Sequence, residues 1–157
     1  MAESIWLLVD SDFRPHADCV FFETRGRGPC REPPIWLNEG LAEYFESVRI
    51  VNGSWKKGGA RKDHLAELAA PAPLATFLKF DRSDFYAKAE ANYPQAWSVV
   101  HFLLHGTPES RKIYDALFKK LANGASASAA VDEVFTPEVM SWFQPSYTAH
   151  VLKLRAE

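Results

Sequence analysis

From about residue 35 onward the apolar positions of the chain recur with the period of a helix. Leu37, Leu41, Tyr44, Phe45 and Val48 fall at i, i+4, i+7, i+8 and i+11, which is one helical face. Glu39, Glu43 and Glu46 lie on a different face, and Asn38 is placed to cap the start. Asn52-Gly53 is expected to end this element. A short helix comes next over 63–70, closed by Pro71 and Pro73, and a further helical turn over 74–80. Residues 92–105 predict a buried helix with Pro94 in its first turn and Ala96, Val99, Val100, Leu103 and Leu104 on its apolar face. Thr107-Pro108-Glu109 opens the next helix with a cap, a first-turn proline and an acid at the positive helix end. Ile113, Leu117 and Leu121 carry its core stripe, and Gly124 stops it. The segments 126–135 and 136 onward repeat this logic, with Pro145 expected to kink or split the last helix.

Residues 1–34 read differently. Two short apolar runs, 5–9 and 19–23, are candidate strands, separated by Asp10, Ser11, Asp12 and Pro15. The cluster Arg25-Gly26-Arg27-Gly28-Pro29 is turn-forming, and Pro33-Pro34 favours an extended approach to the first helix. The pattern therefore predicts a mainly α fold of roughly four to six helices with a small irregular or two-strand N-terminal segment. The division is 1–34, read as a truncated or degenerate segment, and 35–157, helical.

A chain of 157 residues fits one domain. The net charge of −2 and the lack of a long basic run argue against nucleic acid as a main partner, since phosphate binding needs clustered Lys and Arg. The densest basic patch, Lys56, Lys57, Arg61 and Lys62 around Gly58-Gly59, reads as a solvated loop. The longest apolar stretch, 96–104, is interrupted by His101 and falls far short of the ~20 residues that span a membrane. With Glu3 where a signal peptide carries positive charge, the chain as written is expected in the cytoplasm, and exported if its true start is missing. Cys19 and Cys30 read as a reduced, structural pair. A metal knuckle built on His16-x-x-Cys19 would lack both Cys-x-x-Cys and a fourth ligand.

Two sets of residues carry candidate chemistry. His101 and His105 sit at i, i+4 on a predicted helix, the spacing that aims two imidazoles at one ion, although Phe102 stands where a metallopeptidase has its base. The plainer reading makes His101 a core or groove histidine and His105 a helix end. The second set is the run Trp36-Leu37-Asn38-Glu39-Gly40-Leu41-Ala42-Glu43-Tyr44-Phe45-Glu46. Gly40 costs about 1 kcal/mol in a helix interior relative to Ala, and a close backbone approach by a neighbouring helix is a reason to keep it.

This run resembles the second zinc-site helix of the gluzincin, or peptidase MA-like, metallopeptidases. Further similar stretches are Ser83-Asp84-Phe85-Tyr86 and Tyr93-Pro94-Gln95-Ala96-Trp97-Ser98-Val99-Val100. The resemblance implies a zinc-dependent peptidase, with Glu39 as the acidic zinc ligand. It also implies that Tyr93 donates a hydrogen bond to the oxyanion of the tetrahedral intermediate. The His-Glu-x-x-His helix that should precede Glu39 is absent. Counting back about nineteen residues from Glu39, the family spacing, reaches Val20 and puts the first ligand position on His16 and the base on Ala17. Either the site has decayed, or one of the five histidines falls there by coincidence. The resemblance thus implies a degenerate or truncated metallopeptidase, with zinc as its cofactor or with none in this chain. The alternatives are a non-catalytic module that binds a peptide or protein through Trp36, Trp97 and a strand edge, and an active peptidase whose missing helix comes from upstream or in trans. If Tyr93 faces the metal, His101 lies ~12 Å further along the helix, which makes the two histidines a competing site.

Overall fold

A computed structural model describes residues 32–156 except 47, 57, 58, 60, 69 and 70. The candidate strands near the N-terminus, His16, Cys19 and Cys30 lie outside the described residues. The fold is mainly α, as the apolar periodicity predicts, with eight helical segments and one hairpin among the described residues. The expectation of four to six helices was too low because residues 62–87 fold as three separate pieces of one or two turns. The elements are α1 (Ile35–Glu46), β1 (Arg49–Val51), β2 (Ser54–Lys56), α2 (Lys62–Glu67), α3 (Leu74–Phe77), α4 (Arg82–Ala87), α5 (Ala89–His105), α6 (Pro108–Ala122), α7 (Ala127–Val134) and α8 (Pro137–Ala156).

Helix α1 starts earlier than a cap at Asn38 would give. The Pro34 carbonyl accepts the amides of Leu37 and Asn38 at 2.9 and 3.1 Å, so Asn38 is inside the helix. The buried face of α1 is Ile35, Trp36, Leu37, Gly40, Leu41 and Tyr44. Asn52-Gly53 does not end α1, which stops at Glu46. It turns the β1–β2 hairpin instead, with both residues at positive φ (52° and 74°). Asn-Gly between short apolar runs is a strong hairpin signal, because both turn positions need the left-handed region.

Helix α5 is the spine, with residues 94–103 all buried. It begins at Ala89, so Pro94 sits inside the helix rather than in its first turn. Asn92 Nδ2 donates to the Phe85 carbonyl at 2.7 Å and fixes the entry from α4. Helices α1 and α5 meet at Gly40, where an added Cβ would lie 2.5 Å from the Ala96 carbonyl oxygen and 2.8 Å from Val100 Cγ2. The close approach that Gly40 suggests is therefore real, and the helix it admits is the one carrying Tyr93.

Thr107 and Ser110 form a reciprocal capping box with Pro108 at the first turn of α6, and Gly124 lies just past its end at φ 85°. Helix α8 is not split at Pro145. Phe143, Tyr147, Val151 and Leu154 form one buried stripe across the proline, and their packing outweighs the single ladder bond the ring removes. Trp36 and Trp97, both 0 % exposed, lie in the core, so neither is available to hold a peptide. Trp36 Nε1 donates to the Leu78 carbonyl at 3.0 Å. The basic patch is only partly a solvated loop. Lys56 ends β2 and Lys62 opens α2, while the Arg61 guanidinium is held by Glu43, Glu46 and Asp63.

Candidate functional site

Glu39 is the fifth residue of α1 and is half-buried, one position before the Gly40 contact with α5. Its Oε1 accepts the Tyr86 hydroxyl at 3.1 Å and Asn38 Nδ2 at 3.3 Å. Tyr93, on the first turns of α5, lies against both Glu39 and Tyr86, with its ring edge-to-face on Phe85 at 5.3 Å. Burial pushes the Tyr93 phenol up to about 12, and the Glu39 carboxylate adds to the shift. Tyr86 is shifted upward by the same two causes. Both phenols therefore remain hydrogen-bond donors at neutral pH. Glu39 and Tyr93 come together on one surface because the Gly40 contact holds their helices in register.

One turn further along α1, Glu43 takes the Arg61 guanidinium and His64 Nε2, the latter at 3.0 Å. Burial raises the Glu43 carboxyl while Arg61 lowers it. His64 is 6 % exposed and stacks on Trp97 at 5.7 Å, and burial, then Arg61, pushes its imidazole below the usual range. His64 Nδ1 and Trp97 Nε1 are buried without a hydrogen-bond partner.

The α5 stripe continues to His101 and His105, whose rings lie 4.8 Å apart. His101 is a core histidine at 3 % exposure and His105 is the last residue of α5. His101 Nδ1 shares a hydrogen bond with His150 Nε2 of α8 at 2.9 Å, and the Tyr44 hydroxyl meets His105 Nε2 at 2.7 Å. Burial, then His101 and His105, lowers the His150 imidazole to about 4.

The residues fit a zinc ion only in part. Among the described residues no three His, Cys, Asp or Glu side chains converge as a metal-binding group. Glu39 is the right kind of ligand, but its neighbours are two phenols and an amide rather than imidazoles. The imidazoles of His101, His105 and His150 belong to the other end of the stripe. A cleft of about 280 Å³ lined by Pro33, Pro34, Leu78, Phe80, Arg82 and Val131 shares no residue with the Glu39 cluster.

Residues 28–126 match the family model described as "Protein of unknown function (DUF1570)". The chain belongs to the DUF1570 family. The match covers more than half of the chain and includes Glu39, Tyr86, Tyr93, His101 and His105, and it ends before His150. No curated protein and no solved structure matches the chain. Among the described residues no helix is long and apolar enough to cross a membrane.

Sequence reasoning missed four participants. Tyr86 lies in one of the stretches that carry the resemblance but had no role there, and only the fold brings its hydroxyl to Glu39. Glu43 was one of three face glutamates with nothing to single it out. His64 and His150 had no motif, and their partners lie far off in sequence.

Proposed function

We propose that this chain carries the carboxylate half of a gluzincin-type peptide-hydrolysing site. In this reading Glu39 is the acidic metal ligand, Tyr93 is the donor for a developing oxyanion, and the chain is not a competent peptidase alone. The observation that carries the reading is the juxtaposition of Glu39 with Tyr93 across the Gly40 contact. A phenol kept protonated beside a carboxylate is a preorganised donor, and such donors contribute large terms where negative charge develops. The described residues supply neither a general base nor two imidazoles beside Glu39, so hydrolysis requires a histidine-bearing helix from elsewhere.

Zinc content of protein purified without chelators, measured beside Glu39→Ala, tests this. Negligible zinc in both, with no chelator-sensitive peptidase activity, is the expected result for the chain alone. Near one equivalent of zinc together with chelator-sensitive activity, both lost in Glu39→Ala, would overturn the claim of incompetence. It would also place the missing ligands in this chain.

A further inference from the structure

The β1–β2 hairpin takes no part in the Glu39 cluster. Its register sets Arg49 opposite Lys56, Ile50 opposite Trp55 and Val51 opposite Ser54. A two-residue turn with both positions at positive φ makes Val51 and Ser54 the closing hydrogen-bonded pair. Alternation then makes Arg49 and Lys56 a hydrogen-bonded pair and Ile50 and Trp55 a non-bonded one. The backbone N–H and C=O of Ile50 therefore point away from β2, along an edge of β1 that pairs with no other strand among the described residues. Ile50 and Val51 are 64 % and 44 % exposed, unusually so for apolar strand residues. Arg49 and Lys56 are exposed as well, and like charges directly opposite one another destabilise a strand pair. Among the described residues neither cation is in an ion pair with a carboxylate. A two-stranded hairpin is marginal in water, and a third strand is the usual remedy.

We infer that the hairpin is a docking edge for an extended acidic segment of a partner protein, which adds along β1 as a third strand. The edge specifies the segment's pattern. A residue paired with Ile50 shares its face and should be apolar. Of the residues on either side of it, one lies opposite Arg49 and should be acidic, and the other lies opposite Val51 with Arg49 on the diagonal, where a Glu side chain still reaches the guanidinium. The segment therefore alternates acidic, apolar, acidic. A second copy of this chain does not meet that pattern, because pairing β1 with β1 would bring more arginine to a face that already carries two cations.

The test uses the full chain and fluorescein-labelled peptides of about seven residues, one alternating Glu with Val or Ile and one alternating Lys with the same apolar residues, followed by anisotropy. The acidic peptide is expected to bind and the basic one not, with affinity falling as salt rises from about 0.05 to 0.3 M. Arg49→Glu with Lys56→Glu keeps the like-charge pair but reverses its sign. It should weaken the acidic peptide about ten-fold and admit the basic one. Ile50→Pro removes an outward N–H that the hairpin does not use, and should weaken the acidic peptide while leaving the hairpin's own ladder. Acidic-peptide binding unchanged by the charge reversal, or no binding at millimolar concentration, would overturn the inference. A single-stranded oligonucleotide that binds more tightly than the peptide and is indifferent to Ile50→Pro would overturn it too, because a polyanion needs no strand edge.

Discussion

Tyr93, Trp97, His101 and His105 form one stripe down α5, yet its two ends are built on opposite chemistry. At the Tyr93 end a carboxylate and two phenols meet at a half-open surface. At the His101 end imidazoles from two helices meet, with His101 buried, His150 half-buried and His105 exposed, and cations act on His150 and on Tyr44 beside His105. Lys153 lowers His150, and Arg111 acts on Tyr44. The same helix thus offers an acidic, donor-rich site where it starts and a neutral, basic-flanked one where it ends. The side chains themselves decide the difference. Glu39 and His150 are both half-buried, and burial favours the uncharged form of the imidazole.

Both ends depend on the packing of α1 against α5, which is tightest for the backbone at Gly40, so the largest effect is expected where that contact is broken. Gly40→Val drives side-chain atoms into the Ala96 carbonyl and Val100. The gain in helix propensity over Gly is below about 1 kcal/mol, whereas overpacking against backbone costs about 3 kcal/mol or more. Urea denaturation should show that loss. Near-native stability would mean the helices can part, and that the Glu39–Tyr93 and Tyr44–His105 contacts are not set by Gly40.

A smaller effect separates the ends. His101→Ala leaves His150 without its partner and opens a cavity beside Trp97 and Phe102, for an expected loss of about 2–3 kcal/mol. Tyr93→Phe removes one half-exposed hydroxyl and should cost less than about 1 kcal/mol. Equal losses in denaturation experiments would contradict the contrast in burial.

How much of this was legible in the sequence depends on the range of each interaction. Local signals were sufficient for the caps of α6, its stop at Gly124 and the apolar faces of α1 and α5. Gly40 announced a close contact, and the resemblance paired Glu39 with Tyr93, which the fold places together. The hairpin was missed although Asn52-Gly53 is a hairpin signal, because the α1 periodicity reached Val48 and Asn-Gly was read as a helix stop. Pro145 misled because its cost is local while the stripe that outweighs it runs from Phe143 to Leu154. The Glu43–His64 and His101–His150 contacts join residues whose meeting depends on helix packing, and no spacing rule reaches them.

The two ends should also differ in acid, where His150 titrates at the histidine end alone, while alkali reaches a tyrosine at each. His150 titrates near 4 in the folded protein, below the ordinary value of 6.5, so the unfolded chain binds more protons between those values. Stability from its neutral form is complete above about 6.5 and is lost as pH falls toward 4. The expected loss is about 1–2 kcal/mol after screening, and His150→Gln should reduce the slope. Tyr93 has the reverse sign. Its raised pKa favours the protonated form in the folded state, so its contribution is present below about 10 and is lost as pH rises toward 12. Tyr44, also raised to about 12 by burial, titrates in the same range. The phenolate absorbance difference between wild type and Tyr93→Phe isolates the site tyrosine. A difference spectrum centred near 10 would remove the burial on which the donor role of Tyr93 rests.

The smallest effect tests whether the two phenols share one site. Tyr86 is 44 % exposed and its bond to Glu39 competes with water, so Tyr86→Phe should change stability by less than about 0.5 kcal/mol. Its consequence should appear in Tyr93 instead. Glu39 Oε1 loses its 3.1 Å donor, and Tyr93 loses a neighbour whose charge, when ionised, helps to keep the Tyr93 proton in place. The alkaline titration of Tyr93 should then move downward in Tyr86→Phe, because a Tyr86 phenolate no longer opposes a second negative charge beside it. An unchanged Tyr93 titration would mean that the two phenols do not feel one another beside Glu39, and the shared site would come apart.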